Sequence, residues 1–173
     1  MEQLLRMVYV SESTQPLSGL GGEVPIEIGR ILMQSRKNNP KLEVGGVLYF
    51  RNNYFFQCLE GEQDVVNDLY QKIATDPRHK QVQTLSVKRI HQRQFSDWSM
   101  KYVASKDQVN RLIRQFGMQE FNPYQFDDYM IDELLKVFNK SSDQTSQPDQ
   151  SYSHQPNPDR QSKGLFSRLF GRR

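Results

Sequence analysis

Two short apolar runs, Val44 to Phe50 and Tyr54 to Leu59, stand on either side of Arg51-Asn52-Asn53. Aromatic and β-branched runs of that length, broken by a short polar turn, predict a β-hairpin. The rest of the chain is arranged around it. Upstream, Leu4 to Val10 reads as a first strand, followed by a loop containing Pro16, Gly19, Gly21 and Gly22. Pro25 suits the first turn of a helix, where its missing N–H costs nothing. Ile28, Ile31, Leu32 and Ser35 recur at helical spacing, so this helix has one mostly apolar face. It should stop near Asn38-Asn39-Pro40, because a residue before proline leaves the helical region.

Downstream, Gly61 closes the third strand. Val65, Val66, Leu69, Tyr70 and Ile73 mark a second helix, ended by Asp76-Pro77. Val82 to Ile90 alternates enough for a fourth strand. Phe95 to Val103 reads as a fifth, with Trp98 and Met100 on one face because strand periodicity is two. The order β-α-β-β-α-β is the ferredoxin-like arrangement, an α+β fold with helices on one face of an antiparallel sheet and here an added fifth strand. In it the first and third strands are neighbours at the centre of the sheet.

Two more helices are expected, Asp107 to Gly117 and Tyr124 to Phe138, the second with Met130, Leu134 and Phe138 on one face. Amphipathic helices that follow a finished sheet must cover something. The chain thus divides into a core at 1–104, a helical extension at 105–139 and a tail at 140–173. The stretch 140–163 is rich in Ser, Gln, Asp and Pro and should be disordered. Leu165, Phe166, Leu169 and Phe170 would share a face of a short basic tip, either a frayed end or a contact for a membrane surface or partner.

Charge narrows the partners. The net charge is +3, and all of it lies beyond Phe138; residues 1–138 carry 17 charges of each sign. A neutral core argues against a nucleic-acid-binding face, which needs a basic patch. One cysteine, Cys58, excludes an intrachain disulfide and reads as a buried thiol in a strand. No secretory leader is visible at the start, and no apolar run approaches the ~20 residues of a membrane span. A cytoplasmic location is the expectation.

Conventional catalysis finds little support. There is no phosphate-binding glycine loop, and His79, His91 and His154 show no metal-ligand spacing. The informative residues are amides. Asn39 at a helix end, with Asn38 beside it, offers a donor and an acceptor side by side; Asn38-Asn39-Pro40 also reads simply as a helix stop. Arg36 and Lys37 suit either a phosphate or solvent. Gln57 sits between apolar neighbours in a central strand, and a buried amide left unpaired costs roughly 1–3 kcal/mol. Tyr9, at the end of the adjacent strand, can pair with it, as a structural couple or as a functional one.

The joint pattern is more specific than its parts. Arg36-Lys37-Asn38-Asn39-Pro40, then Gly45-Gly46, then Phe55-Phe56-Gln57-Cys58-Leu59-Glu60-Gly61, then Asp76-Pro77-Arg78-His79, then Phe95 with Trp98-Ser99-Met100, follow in the order of the BLUF family. Over roughly residues 4 to 104 the chain resembles these flavin-binding blue-light receptor domains. The resemblance implies a noncovalently held flavin, FAD before FMN or riboflavin. It implies Tyr9 as the photoactive tyrosine, Gln57 as the switching glutamine and Asn39 as the asparagine on the flavin edge. Asn38 and Arg36 would assist, and Asp76, Arg78 and His79 would lie near the flavin side chain. Trp98 and Met100 would belong to the signalling strand. The loop before the first helix is about six residues longer than in compact members.

On that reading Tyr9 gives an electron and then a proton through Gln57, and the rotated or tautomerised amide makes a new bond to the flavin C4 carbonyl. The absorption shifts to the red and no net chemistry follows, so the chain is no enzyme by itself. Only about 70 residues follow the core, so output should pass to a downstream protein partner or through a homo-oligomer. The rival readings are a small hydrolase of acylphosphatase type, using Arg36 or Arg30 and an asparagine, and a binding module without photochemistry.

Overall fold

The structure, a computed structural model, describes residues 3–15, 25–97, 99–104 and 106–141. The long loop, Trp98 and the expected disordered tail with its basic tip lie outside the described residues. The elements are β1 (Leu4–Ser13), α1 (Ile26–Asn38), a 3-10 turn (Asn39–Leu42), β2 (Gly45–Arg51), β3 (Tyr54–Glu62), α2 (Gln63–Ala74), β4 (His79–Ile90), β5 (Lys101–Val103), α3 (Lys106–Gln115), a second 3-10 turn (Pro123–Gln125) and α4 (Asp128–Lys140).

The hairpin forms where the sequence places it. Asn52 and Asn53 both take the left-handed backbone, φ 51° and 66°, which a two-residue turn between twisted strands requires. Its second strand, β3, is the middle of a five-stranded sheet ordered β4-β1-β3-β2-β5. β1, β3, β2 and β4 pair antiparallel, whereas β5 adds to β2 in parallel, with Val47 opposite Lys101. In the register of β1 on β3, Tyr9 faces Gln57. The register of β1 on β4 shifts between Val8 and Tyr9, an irregularity of the kind that re-aims a side chain.

Strand alternation sends side chains to two separate cores. Leu5, Met7, Tyr9, Leu48, Phe55 and Leu59 face α1 and α2, where they meet Ile28, Ile31, Leu32 and Val66. Val8, Val10, Val47, Tyr49, Phe56 and Cys58 face the other way and meet Val109, Ile113, Phe121, Ile131, Leu134 and Phe138. The second layer is therefore α3 and α4, docked on the sheet face that a bare ferredoxin-like fold leaves open. Helix ends are capped as their sequences allow. Glu62 accepts from the Val65 N–H, and Asp127 from the Met130 N–H.

One expectation needs correction. The fifth strand does not run from Phe95; it covers Lys101–Val103 only, and Phe95 lies in a turn and Met100 in a bend. The cause lies in Glu60. Its buried carboxylate takes the backbone N–H groups of Gln94 (2.6 Å) and Phe95 (2.9 Å), so these cannot enter a ladder. The carbonyls of Ser99 and Met100 likewise go to side chains of α1 and its following turn, not to a neighbouring strand.

Candidate functional site

A cavity of about 370 Å³ opens between α1 and α2 over the central strand β3. Its apolar walls are Ile31, Leu59, Leu69 and Ile73, and its polar lining includes Asn38, Asn39, Gln57, Asp76, Arg78 and His79. Ile31, Ser35 and Asn38 reach it together because positions i, i+4 and i+7 share one helix face.

At the floor, Gln57 is buried and spans two partners. Its Oε1 accepts a short hydrogen bond from the Tyr9 hydroxyl. Its Nε2 donates to Met100 Sδ at 3.3 Å. Tyr9 is fully buried, and burial, reinforced by Tyr70 and Asp76, pushes its phenol well above the ordinary value. The hydroxyl therefore keeps its proton and donates. The Tyr70 ring meets Tyr9 edge-on with centroids 5.3 Å apart. Met100 is seated by a glycine. A side chain on Gly46 would run into the Cys58 carbonyl and crowd the Met100 methyl, 3.3 Å away.

The end of α1 reaches the same segment from the side. Asn39 is 2% exposed, and its Nδ2 donates to the Ser99 carbonyl at 2.8 Å. The Arg36 Nε donates to the Met100 carbonyl at 3.0 Å. Arg36 thus holds the backbone beside Gln57 and Met100, and neither it nor Lys37 lines the cavity. Arg30 turns to Glu27 on the helix surface, while Arg36 and Asn39 meet at one segment but direct these donors to the Met100 and Ser99 carbonyls.

The mouth is closed by charges. Arg78 Nε and Nη2 grip the Asp76 carboxylate at 2.9 Å and 2.5 Å, and Nη2 also reaches Gln34 Oε1 at 2.9 Å, tying α1 to the end of α2. The guanidinium holds the Asp76 carboxyl below the usual carboxylate range. His79 pairs its Nδ1 with Ser11 Oγ at 2.8 Å and packs on Phe55 with centroids 4.5 Å apart. Burial pushes its imidazole down to about 4, so it is neutral near pH 7. Lys41 and Lys72 also line the cavity, and among the described residues neither has an ion-pair partner. Gln34, Ser11, Lys41 and Lys72 carry no local sequence signal, because they come from α1, β1, the 3-10 turn and α2 and are brought to the cavity or its His79 only by the fold.

These features fit a flavin. The cavity has the size and the mix of apolar walls and few polar groups typical of cofactor sites. It offers amide edges at the floor for a heterocycle and cations at the rim for a phosphate.

Comparison with known proteins decides the matter. The model of the BLUF family, sensors of blue light using FAD, matches residues 4–101. The chain belongs to the BLUF family. BlsA in its photo-activated state shares 31% identity over 81% of this chain and 97% of BlsA, with a TM-score of 0.74. The BLUF protein BlrB in its dark state shares 25% identity over 80% of this chain and 97% of BlrB, with a TM-score of 0.62. The photoactivated adenylate cyclase subunit beta of Euglena longa is 33% identical over 98 residues, which is 56% of this chain but 11% of that subunit. This BLUF chain is therefore a flavin-binding blue-light sensor with the α+β fold of its relatives. Among the described residues no helix is long and apolar enough to cross a membrane.

Proposed function

We propose that Tyr9, Gln57 and Met100 form the light switch of this domain. The flavin would be held by Asn39, Asn38 and Gln57 at its ring and by His79 and the Asp76–Arg78 pair along its side chain. The observation that carries this reading is the buried relay from the Tyr9 hydroxyl through Gln57 to Met100 Sδ. Bound flavin excited by blue light supplies a strong one-electron oxidant. Tyr9 is the residue placed to lose an electron, and its hydroxyl proton has one outlet, Gln57 Oε1. The electron and proton return to Tyr9, so no bond is made or broken overall. What changes is the Gln57 carboxamide, whose rotation or tautomerisation moves the donor away from Met100 Sδ. A hydrogen-bond change of about 1–3 kcal/mol biases an element with two arrangements.

Arg36 is a positioning residue in this scheme, since it holds the Met100 carbonyl and not the flavin. Output passes to a protein partner or through self-association, with the outer surface of α3 and α4 as the reporting face. The chain itself performs no enzymatic step, in contrast to the cyclase relatives. Cys58 is a free buried thiol, which suits a reducing cytoplasm.

The test is Tyr9→Phe. The variant should keep the flavin and lose the light-induced red shift in its absorption spectrum. A normal photocycle in Tyr9→Phe would remove Tyr9 as the donor.

A further inference from the structure

Lys101 is an ammonium group with no exposure at all. It stands beside Met100, and the two side chains have their partners on opposite faces of the sheet. Met100 faces Gln57 in the core under α1 and α2; Lys101 faces α4. Its Nζ donates to the Asn139 carbonyl at 3.0 Å. Asn139 lies in the last turn of α4, where carbonyls lack partners within the helix and a cation is favoured by the helix dipole. A second contact grips α4 one turn earlier. Gln94 Nε2 reaches the Leu135 carbonyl at 3.4 Å, four residues before Asn139.

The two grips differ in what lies behind them. Gln94 is anchored, because its N–H and that of Phe95 are tied to the buried Glu60 carboxylate, which Arg6 also holds at 2.7 Å. Lys101 has the switch behind it. The peptide between Met100 and Lys101 is held by Arg36 at the Met100 carbonyl, and the Met100 side chain is held by Gln57. The Lys101 backbone is also paired with Val47 across the β2–β5 ladder, so release of Met100 by Gln57 acts where β5 begins and leaves the Gln94 end fixed.

We propose that Lys101 couples the Gln57–Met100 contact to the last turn of α4, so that light loosens that turn while the preceding one stays held. The proposal rests on the reading of Gln57 as the switching amide. It makes Lys101 a positioning residue that touches neither flavin nor partner and still sets the output.

Hydrogen–deuterium exchange of the flavin-loaded full chain, in the dark and under blue light, tests it. The amides of 138–141 should exchange about fivefold faster in the light, the scale on which one hydrogen bond holds an end turn, while 131–135 stay unchanged. In Lys101→Met, a near match in length without the charge, the red shift should persist. Exchange of 138–141 should already be fast in the dark, and the light-minus-dark difference should vanish. A purely structural lysine would instead speed exchange in both states and leave the difference, and that result overturns the proposal. So does a wild-type protein that shifts its spectrum with no change at 138–141. Should Lys101→Met fail to fold, Met100→Leu must lower the difference while Lys101 is kept, and an undiminished difference overturns the coupling. Tyr9→Phe separates the two readings: a red shift that survives there sinks the photochemical assignment and leaves the coupling standing.

Discussion

The two faces of the sheet are made by the same strands, yet they are filled in opposite ways. Toward α1 and α2 the strands present polar groups inside an apolar frame: the Tyr9 hydroxyl, the Gln57 amide and, from the helix end, Asn39. A cavity remains above them. Toward α3 and α4 the same strands present Phe56 and Tyr49, which stack with Phe121, Phe126 and Phe138 at centroid distances of 5.0–6.2 Å. One face keeps buried hydrogen-bonding capacity for a ligand; the other spends its area on aromatic packing. Adjacent residues of one strand, Phe56 and Gln57, therefore belong to different problems, stability and the proposed photochemistry.

Removing the aromatic layer is the harshest way to break this comparison. Truncation after Val103 strips α3 and α4 from the sheet and exposes Val8, Val10, Val47, Tyr49 and Phe56. Burial is worth about 25 cal/mol per Å² of apolar surface, so a face of this extent will not remain in water. The truncated chain should aggregate or change its subunit number on size-exclusion chromatography, while the fraction that stays folded keeps its flavin and its red shift. A monodisperse core with native assembly would show that the aromatic face is dispensable.

Single substitutions should separate the faces more finely. Phe138 is fully buried between Tyr49 and Phe56, and Phe138→Ala should cost about 3–5 kcal/mol in chemical denaturation. Its photocycle should stay intact wherever the protein is folded. Gln57→Leu should do the reverse, with no red shift and a stability change of about 1–3 kcal/mol, the scale of a buried polar group left unpaired. The substitution also strands the Tyr9 hydroxyl without its acceptor, which sets the direction of that change as destabilising. A full red shift in Gln57→Leu, or a silent photocycle in folded Phe138→Ala, would mean the faces are not independent.

The legibility of the sequence follows the same division. Gln57 stood out because a lone amide in an apolar strand must find a partner, and Tyr9 followed from the adjacency of the first and third strands. The end of α1 falls where Asn38-Asn39-Pro40 places it, but Asn39 keeps a helical backbone (φ −61°, ψ −36°) and the chain tightens into a 3-10 turn instead of leaving the helical region. The outer face was readable as amphipathic helices in need of a surface. What escaped was whatever depends on a distant side chain taking a backbone group. Phe95 to Met100 looks like a strand by alternation, but Glu60, Asn39 and Arg36 claim its N–H and carbonyl groups. Arg36 read as suited to a phosphate or to solvent because charge is visible in sequence, whereas its direction off the helix, to the Met100 carbonyl, is not. The pairing of His79 with Ser11 links residues 68 apart and has no local signal.

Acid should disturb the cavity face through His79. Its folded pKa lies near 4 against 6.5 for the free side chain, so the unfolded chain binds the proton more readily. Stability rises with pH wherever the unfolded state holds more protons. The contribution of His79 is thus fully present above about pH 6.5, is lost as pH falls toward 4, and changes no further below that. The ring faces Asp76 and Arg78, and Asp76, with its own lowered pKa, adds a loss at still lower pH. Urea denaturation in the dark at pH 7, 5.5 and 4.5 should show this fall, and His79→Gln should flatten it across that window. An unaltered slope in His79→Gln would place the acid sensitivity elsewhere.

The smallest effect belongs to the rim. Lys41 leaves the 3-10 turn after α1, Lys72 leaves α2, and both line the mouth of the cavity with their charges exposed to solvent. Arg78 is a weaker candidate for a phosphate because Asp76 already neutralises it. Exposed charges attract weakly and are screened by salt, about 0.5 kcal/mol each. Lys41→Gln and Lys72→Gln should therefore each weaken FMN or FAD binding roughly twofold at low salt, on the scale of an exposed ion pair. The loss should fade as salt is added. Riboflavin, which carries no phosphate, should bind both variants as it binds the wild type. Titration of apoprotein with the three flavins, followed by fluorescence quenching, reads this out. Equal losses for riboflavin and FMN would show that the lysines shape the cavity and do not recognise the phosphate, and the flavin would then be selected by the floor of the site alone.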